Sequence, residues 1–355
     1  MGAFLAFQPR ERAAPPPPAL EAAVSWIGKG KGLPLLGRGR AGSLAWKFGR
    51  AHAPASGIAA TPRGWLAAAG TWMHPALDAL DDVDGLLRLV EERGPGALDA
   101  LDGMFALLWD DGRALHVRGD LLGRLHCFIA ETAAGVVLST SAVACAVAAG
   151  TAEPDPVAVW EMLSGGTIYE DRTAFARVRR VAAGRRLTLR DGVVAETRAT
   201  LLPAGGETGP EETADALLDA YGSLTSKFLR PFARPLADLT GGLDSRLTLG
   251  ILGRAGVPCE VTVTGSPGDP DARVAARLAD ALGLRLVRKD PSFVAAARSF
   301  DNVRTAAARA EAGYDAVEYA GIAAIHAGHA SGAWDASVNG SGGEVFRNYW
   351  WDRRG

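Results

Sequence analysis

The sequence predicts two domains of different class: an α+β first half rich in antiparallel strands, then an α/β half with a parallel sheet. The chain has 355 residues, which is long for one domain and sufficient for two. Between 104 and 139, four short apolar runs follow one another across turn-type separators; after 236, strand-like and helix-like runs alternate. The segment LPAGGETGP at 202–210 has the composition of a linker. We therefore expect domains at 1–203 and 204–355.

Composition excludes several classes of function. The formal net charge is −2, and acidic and basic residues are mixed along the chain, so no basic face for nucleic acid is expected. The N-terminus lacks the pattern of a signal peptide, and no run reaches the ~18–20 apolar residues that span a bilayer. Three scattered cysteines have neither metal-ligand nor redox spacing. We expect a cytoplasmic protein with buried thiols.

The first half shows weak sequence patterns before Gly64 and regular strand and helix patterns after it. Residues 1–60 are poorly patterned: Pro15–Pro18 favour an extended segment, and GKGKGLPLLGRGR at 28–40 suggests a loop without the Gly-Lys-Ser/Thr ending of a Walker loop. Beyond them the patterns predict strands at Trp65–Trp72, Met104–Trp109, Ala114–Arg118, Leu125–Ala130 and Gly135–Ser139, and helices at Val83–Arg93, Ser141–Ala149 and Pro156–Leu163. A hairpin is expected around Asp191-Gly192.

The second half alternates in type. Helical patterns cover Glu211–Leu229, Leu243–Ala255 and Asp271–Gly283, and strand patterns cover Leu236–Leu239, Glu260–Thr264 and Leu284–Arg288. Such alternation predicts a parallel sheet with helices on its faces.

The most specific local feature is the segment Asp238–Arg246, DLTGGLDSR. An apolar strand leads into two glycines, and a helix follows with Asp244 and Ser245 in its first turn. Glycines allow close approach of a phosphate chain, and a helix N-terminus favours anions. The hydroxyls of Thr240 and Ser245 can bond phosphate oxygens, and Asp244 suits Mg²⁺ held against pyrophosphate. The alternative is an ordinary capped helix after a glycine turn.

Several motifs, in order, carry a family resemblance. LTGGLDSR resembles the Ser-Gly-Gly-x-Asp-Ser loop of the N-type ATP pyrophosphatases, with Thr240 in place of Ser. Residues 268–287 and 338–346 resemble the acidic loop with its helix and the second glycine-rich loop of the asparagine synthetase and β-lactam synthetase group. In the first half, similar strands of that group's glutaminase-type domain correspond to 97–111, 118–130 and 136–144.

The resemblance implies an Ntn-hydrolase-like (class II glutamine amidotransferase-like) α+β domain, followed by an α/β PP-loop domain of the adenine nucleotide alpha hydrolase-like type. It implies an AMP-forming carbon–nitrogen ligase that uses ATP and Mg²⁺ on a small-molecule or peptide carboxylate with an amine acceptor; a homodimer is compatible with it. The nucleotide site would comprise Leu239, Thr240, Gly241, Gly242, Asp244, Ser245, Val263, Asn339 and Gly340. Catalytic roles would go to Asp244, Ser245 and Glu344, with Asp244 and Glu344 on the metal.

The chain departs from the family at several points. Glutamine-using members expose a cysteine after removal of Met, whereas Gly2 stands here, and their Asn-Gly oxyanion element would fall near Ala69-Gly70. We therefore expect a scaffold without glutaminase activity, as in β-lactam synthetases and lasso-peptide cyclases; the alternative is a misassigned N-terminus. Gly343 replaces an acidic residue beside Glu344, whose alternative role is a structural cap. The family's later lysine-bearing helical stretch has no counterpart before Gly355, so the chain is expected to be incomplete.

Other interpretations fit the sequence less well. A truncated or degenerate paralogue would act as a nucleotide-binding partner subunit without catalysis. A PP-loop enzyme of another branch, such as an NAD synthetase or a tRNA-modifying ligase, would not explain the glutaminase-like first half. His326 and His329 are spaced to share a helix face, but no third metal ligand lies nearby in the sequence.

Overall fold

The computed structural model of the protein describes residues 3–12, 14–29, 34–40, 42–48, 57–198, 209–311, 313, 315–332 and 334–341. The chain divides into two compact units. The first consists of Met1–Ala204 with Ala310–Asp315, and the second of Gly205–Arg309 with Ala316–Gly355. Most of the linker predicted at 202–210 lies outside the described residues.

The first unit is built mainly from antiparallel strands. Its strands are β1 (Ala3–Pro9), β2 (Leu35–Arg38), β3 (Leu44–Phe48), β4 (Ile58–Ala60), β5 (Trp65–Met73), β6 (Asp102–Asp110), β7 (Leu115–Gly119), β8 (Phe128–Glu131), β9 (Gly135–Ser139), β10 (Arg179–Arg180), β11 (Arg185–Arg190) and β12 (Val193–Arg198). Its helices are α1 (Leu20–Gly28), α2 (Val83–Arg93), α3 (Ala142–Ala148) and α4 (Pro156–Gly165), with a 3₁₀ turn at Pro95–Ala100.

These strands form two six-stranded sheets. One has the order β10-β8-β9-β1-β3-β2, and the other has the order β12-β11-β7-β6-β5-β4. In the first sheet β1 lies between β9 and β3, with Leu5 paired to Ser139 on one side and to Trp46 on the other. In the second sheet β5 and β6 pair along nine residues, from Trp65 opposite Asp110 to Met73 opposite Asp102.

The two sheets face one another across an apolar core, and each carries helices on its outer face. Alternate residues of β1 and β5, among them Phe4 and Ala67, point into the shared core. The intervening residues point outward, so that Leu5 packs with α1 and α3, and Leu66 packs with α2. Strands covered on both faces show continuous apolar runs. The first unit is therefore a four-layer arrangement of helices, sheet, sheet and helix.

The structure has regular elements where the sequence showed only weak patterns, and the loop expected at 28–40 is wrong in part. Strand β1 is buried at all seven positions, so it shows no alternation of apolar and polar residues. Helix α1 begins at Leu20, shortly after the proline run, and β2 lies within the glycine-rich stretch that suggested a loop. Tertiary pairing with β3 makes a strand of that stretch despite its low β-propensity.

The second unit contains a four-stranded parallel sheet, as the alternation of patterns predicted. Its strands are β13 (Pro235–Asp238), β14 (Glu260–Thr264), β15 (Leu286–Lys289) and β16 (Ala336–Val338), in the order β15-β14-β13-β16. Its helices are α5 (Pro210–Leu229), α6 (Leu243–Arg254), α7 (Pro270–Ala281), α8 (Ser292–Ala297), α9 (Phe300–Ala310) and α10 (Ala316–Ser331). The pairs β13–β14, β14–β15 and β13–β16 are all parallel.

One face of this sheet packs against α6 and α7. Ala237 and Leu239 join Val261 and Val263 in a core closed by Leu249, Leu252, Ala272, Ala275 and Ala279 from the two helices. Helix α5 contributes no buried residue, although its sequence carries an apolar stripe. No helix in the described part of the chain is long and apolar enough to cross a bilayer.

Candidate functional site

The glycine-rich loop lies at the carboxyl end of β13, the strand between β14 and β16. Helix α6 begins at Leu243, immediately after Gly242, and carries Asp244 in its first turn. Ligands of open α/β sheets bind at this edge because the loops that follow parallel strands converge there. The loop thus has the placement and the helix start that the sequence predicted.

Hydroxyl groups hold the loop closed on itself. The Thr240 amide donates to Ser245 Oγ at 3.0 Å, and the Gly242 amide donates to Thr240 Oγ1 at 3.1 Å. The two hydroxyl oxygens lie 3.0 Å apart, and Ser245 is buried. These two amide donors are therefore already satisfied within the loop. The hydroxyls therefore shape the loop as well as being candidates for phosphate contact.

The Gly241 amide is bonded by a carboxylate from a different loop. It donates to Asp271 Oδ1 at 3.0 Å, and Asp271 stands in the first turn of α7. A Cβ on Gly241 would lie 2.8 Å from that oxygen, so the absence of a side chain permits the contact. Asp271 was not among the predicted site residues; the only signal was its place in the acidic segment 268–287.

The second glycine-rich loop meets the first. A Cβ on Gly340 would lie 2.8 Å from the carbonyl carbon of Asp244 and from the Ser245 nitrogen, so the backbones at these positions are in direct contact. Asn339 Oδ1 accepts a hydrogen bond from the Ser341 amide at 3.0 Å, which shapes the same turn. The structure thus brings Gly340 next to Asp244 and Ser245. Glu344 lies outside the described residues.

Two predicted nucleotide contacts have buried side chains. Leu239 is 0% exposed and Val263 is 2% exposed, and both pack in the core against α6 and α7. Their side chains therefore belong to the apolar core and are not accessible to a ligand. The Leu239 amide is also engaged, since it donates to the Thr262 carbonyl oxygen at 2.8 Å.

The other face of the parallel sheet carries a cluster of titratable side chains that the sequence did not reveal. Burial raises the pKa of Asp238, against the effects of His326 and Lys289. Burial also lowers the pKa of Lys289, against the effect of Asp238. The Lys289 ammonium lies 5.8 Å from the centre of the Trp334 ring.

His329 belongs to the same cluster. Burial, together with the positive charges of Lys289 and His326, lowers its pKa to about 4. Its Nδ1 lies 3.0 Å from Ser337 Oγ on β16, which ties α10 to the sheet. The His326 and His329 rings meet edge to face, as their spacing on one helix predicts. No group of three or more His, Cys, Asp or Glu side chains in the described part of the chain could hold a metal ion.

The first unit offers no reactive thiol among its described residues. Burial raises the pKa of Cys127 to about 12 and the pKa of Cys145 well above its ordinary value, so both remain protonated. Gly70 lies in β5, near the expected position of the family's oxyanion element. Its φ of 103° is in the left-handed region. A Cβ there would lie 2.0 Å from the Met104 carbonyl oxygen on β6, so close strand approach requires glycine at this position. Gly2 lies outside the described residues.

Comparison with known families gives one match. Residues 74–199 match the family described as glutamine amidotransferase domain. The first unit contains a domain of glutamine amidotransferase type. This segment includes three of the four central strands of the second sheet and the whole of the strand pair β8–β9. It covers less than half of the chain and none of the second unit.

Comparisons with individual proteins are weaker. No curated protein matched. Among solved structures, the chain is similar to glutamine phosphoribosylpyrophosphate amidotransferase from B. subtilis complexed with ADP and GMP, at 12% identity over 74% of this chain and 65% of that chain, with a TM-score of 0.36. It is also similar to a structure described as the allosteric regulatory enzyme of purine biosynthesis, at 13% identity over 88% of this chain and 79% of that chain, with a TM-score of 0.38. The chain thus spans just under two thirds of the first of these proteins.

Proposed function

We propose that the protein is an ATP-dependent ligase that activates a substrate carboxylate as an acyl-adenylate and joins it to an amine. The observation that carries the proposal is the meeting of two glycine-rich loops at the carboxyl edge of the parallel sheet, where Gly340 rests on the backbone of Asp244 and Ser245. A single glycine turn before a helix is common. Two such loops in contact, each after a parallel strand and each resembling the same family of ligases, form a specific arrangement.

The chemistry assigned to this edge has two steps. A carboxylate oxygen of the substrate attacks the α-phosphorus of ATP, and the bond to the bridging oxygen of pyrophosphate breaks. An amine then attacks the acyl carbon, AMP departs with the electrons of the acyl–oxygen bond, and the amine loses a proton. The first step places new negative charge on pyrophosphate. Hydrogen-bond donors positioned in advance lower the barrier for such a step.

The residues of the loop suit this role. The start of α6, where no side chain caps the helix, lies at the carboxyl edge of the sheet, and a helix N-terminus there favours an anion. Thr240 and Ser245 supply hydroxyl groups 3.0 Å apart on the same loop. Asp244, together with Glu344 from the undescribed segment, would hold Mg²⁺, which neutralises phosphate charge.

We assign the amine to the substrate rather than to glutamine. The glutamine amidotransferase-type domain contains Cys127 and Cys145, and burial holds both thiols protonated. Neither can act as the nucleophile that releases ammonia from glutamine. In this proposal the first unit is a scaffold, and the carboxylate and the amine both belong to small-molecule or peptide substrates.

The test begins with nucleotide binding. Calorimetry with ATP and Mg²⁺ should give saturable heat for the wild type and for Asp280→Asn, an exposed acid at the far end of α7. Asp244→Ala should weaken this binding at least tenfold, because it removes the carboxylate beside the phosphates. Pyrophosphate release is then measured with a panel of carboxylates and amines.

Each outcome has a definite meaning. Pyrophosphate release that persists undiminished in Asp244→Ala would show that this loop is not the site. Binding of ATP without pyrophosphate release, with every carboxylate tried, would favour a nucleotide-binding partner subunit. An absence of binding heat in the wild type would refute both readings.

A further inference from the structure

The three successive amides at the centre of the glycine-rich loop all have acceptors within the second unit. Those of Thr240 and Gly242 donate to hydroxyls of the loop itself. That of Gly241 donates to the carboxylate of Asp271. Asp271 is therefore the one acceptor of the three that carries a charge, and the one that comes from another loop.

The Asp271 side chain is free to move away from this contact. The residue is exposed, and it lies on the first turn of α7, thirty residues beyond Gly241 in the sequence. By contrast, Ser245 is buried, and its hydroxyl has several partners within the loop. Rotation of the aspartate about its side-chain bonds would release the Gly241 amide without unfolding either helix.

A phosphate chain in the loop competes with that carboxylate. Both are anions that form charge-assisted hydrogen bonds of similar strength with a backbone amide. One N–H group serves one strong acceptor, and two anions at hydrogen-bond distance from the same nitrogen repel each other. A nucleotide that reaches Gly241 must therefore displace Asp271.

We propose that Asp271 is an internal competitor of the nucleotide. In the free protein its carboxylate accepts the hydrogen bond of the Gly241 amide, and the phosphate chain binds by displacing that carboxylate. The inference rests on the proposed function, since it concerns the same loop. It assigns to Asp271 a regulatory role that restrains affinity and keeps the loop in shape when no nucleotide is bound.

The experiment compares four proteins: the wild type, Asp271→Asn, Asp271→Ala and Asp280→Asn. The Asp280→Asn variant makes the same change in charge on the same helix, far from the loop. Calorimetry measures the dissociation constants of inorganic pyrophosphate and of ATP, each with Mg²⁺. Loss of the charged acceptor should tighten pyrophosphate binding by about fivefold or more in both Asp271 variants. Asp280→Asn should stay within about twofold of the wild type.

Other results would overturn the inference. Weaker binding in Asp271→Asn would mean that the carboxylate helps to hold the ligand or its metal. Unchanged binding in both variants would mean that the contact with Gly241 is incidental. If the wild type binds and Asp271→Asn binds no more tightly, the inference fails while the proposed function stands. If none of the four proteins binds either ligand, the proposed function fails and the inference fails with it.

A second measurement follows the contact directly. In ¹⁵N-labelled protein, the Gly241 amide resonance should shift upfield in Asp271→Ala, because the hydrogen bond to a carboxylate is lost. It should be unaffected in Asp280→Asn. An unchanged resonance in Asp271→Ala would show that the carboxylate does not occupy the amide in solution.

Discussion

Replacing Gly340 by alanine puts a methyl group where the two glycine-rich loops touch. The new Cβ would lie 2.8 Å from the carbonyl carbon of Asp244 and 2.9 Å from its Cβ. Carbon atoms in ordinary contact are about 3.5–4.0 Å apart, so the loops must separate by roughly 0.7 Å or more. Overpacking of this kind costs about 1–3 kcal/mol. Alanine also restricts the unfolded chain, which offsets about 0.4–1 kcal/mol.

The matched control is Gly268→Ala, in the loop before α7. A Cβ there meets nothing within 4 Å, so this variant should show only the stabilising effect on the unfolded chain. The difference between the two variants then isolates the overpacking cost. For a unit of this size it corresponds to a melting midpoint about 2–12 °C lower in Gly340→Ala than in the control, measured by far-UV circular dichroism. Binding of ATP with Mg²⁺ should weaken in Gly340→Ala alone, because Asp244 is displaced.

Identical melting curves for the two variants would refute the reasoning. They would mean that the loop after β16 does not rest on the start of α6 in solution. The central observation behind the proposed function would then be lost.

Three further predictions concern the buried groups and the strand pairing. In the unfolded chain His329 has a pKa of about 6.5, and in the folded protein its pKa is about 4, so between these values only the unfolded chain binds the proton. The free energy of unfolding should therefore fall as the pH is lowered from 6.5 to 4, by up to about 3 kcal/mol. His329→Gln should reduce this pH dependence in urea unfolding, and an equal dependence in the variant would contradict the prediction. A thiol reagent added to the native protein should modify Cys259, which is half buried, and should not modify Cys127, whose pKa is raised to about 12. Modification of Cys127 in native Cys259→Ser protein would contradict this. Gly70→Ala should destabilise the first unit by about 3 kcal/mol or more, because φ is 103° at this residue and β6 lies against the added carbon. In the control Gly119→Ala, on β7, the added carbon meets nothing within 4 Å, so the loss of stability should be small. Similar urea midpoints for the two variants would refute this.

Local patterns predicted the regular elements well where one face of an element is polar. Helix α2 runs over Val83–Arg93, the limits that the sequence predicted. Strand β9 also has its predicted limits, Gly135–Ser139, although all five of its residues are buried. The alternation after residue 236 correctly predicted a parallel sheet. These signals depend on neighbours in the sequence, and amphipathic periodicity records which face is buried.

The same reasoning failed at strand β1, which is buried throughout, and at β2, where pairing overrides propensity. Strand β1 has apolar neighbours on both faces and therefore no period to detect. The stretch Leu35–Arg38 has turn-like glycines around it and becomes a strand only because β3 lies beside it. Neither fact can be read from the residues alone.

The sequence by itself determined the composition of the candidate site: two glycines, two hydroxyls and an acid at the start of a helix, all within Leu239–Arg246. The fold type of the second unit and the position of the site after a strand follow from the same sequence patterns. The tertiary structure alone decided which groups meet there. Strand order places the loop after β16 and the start of α7 beside that helix, so that Gly340 touches Asp244 and the Asp271 carboxylate takes the Gly241 amide. Hydrogen bonds and close contacts act over a few ångströms in space. Between residues thirty or a hundred apart in the chain, only the fold determines which of them form.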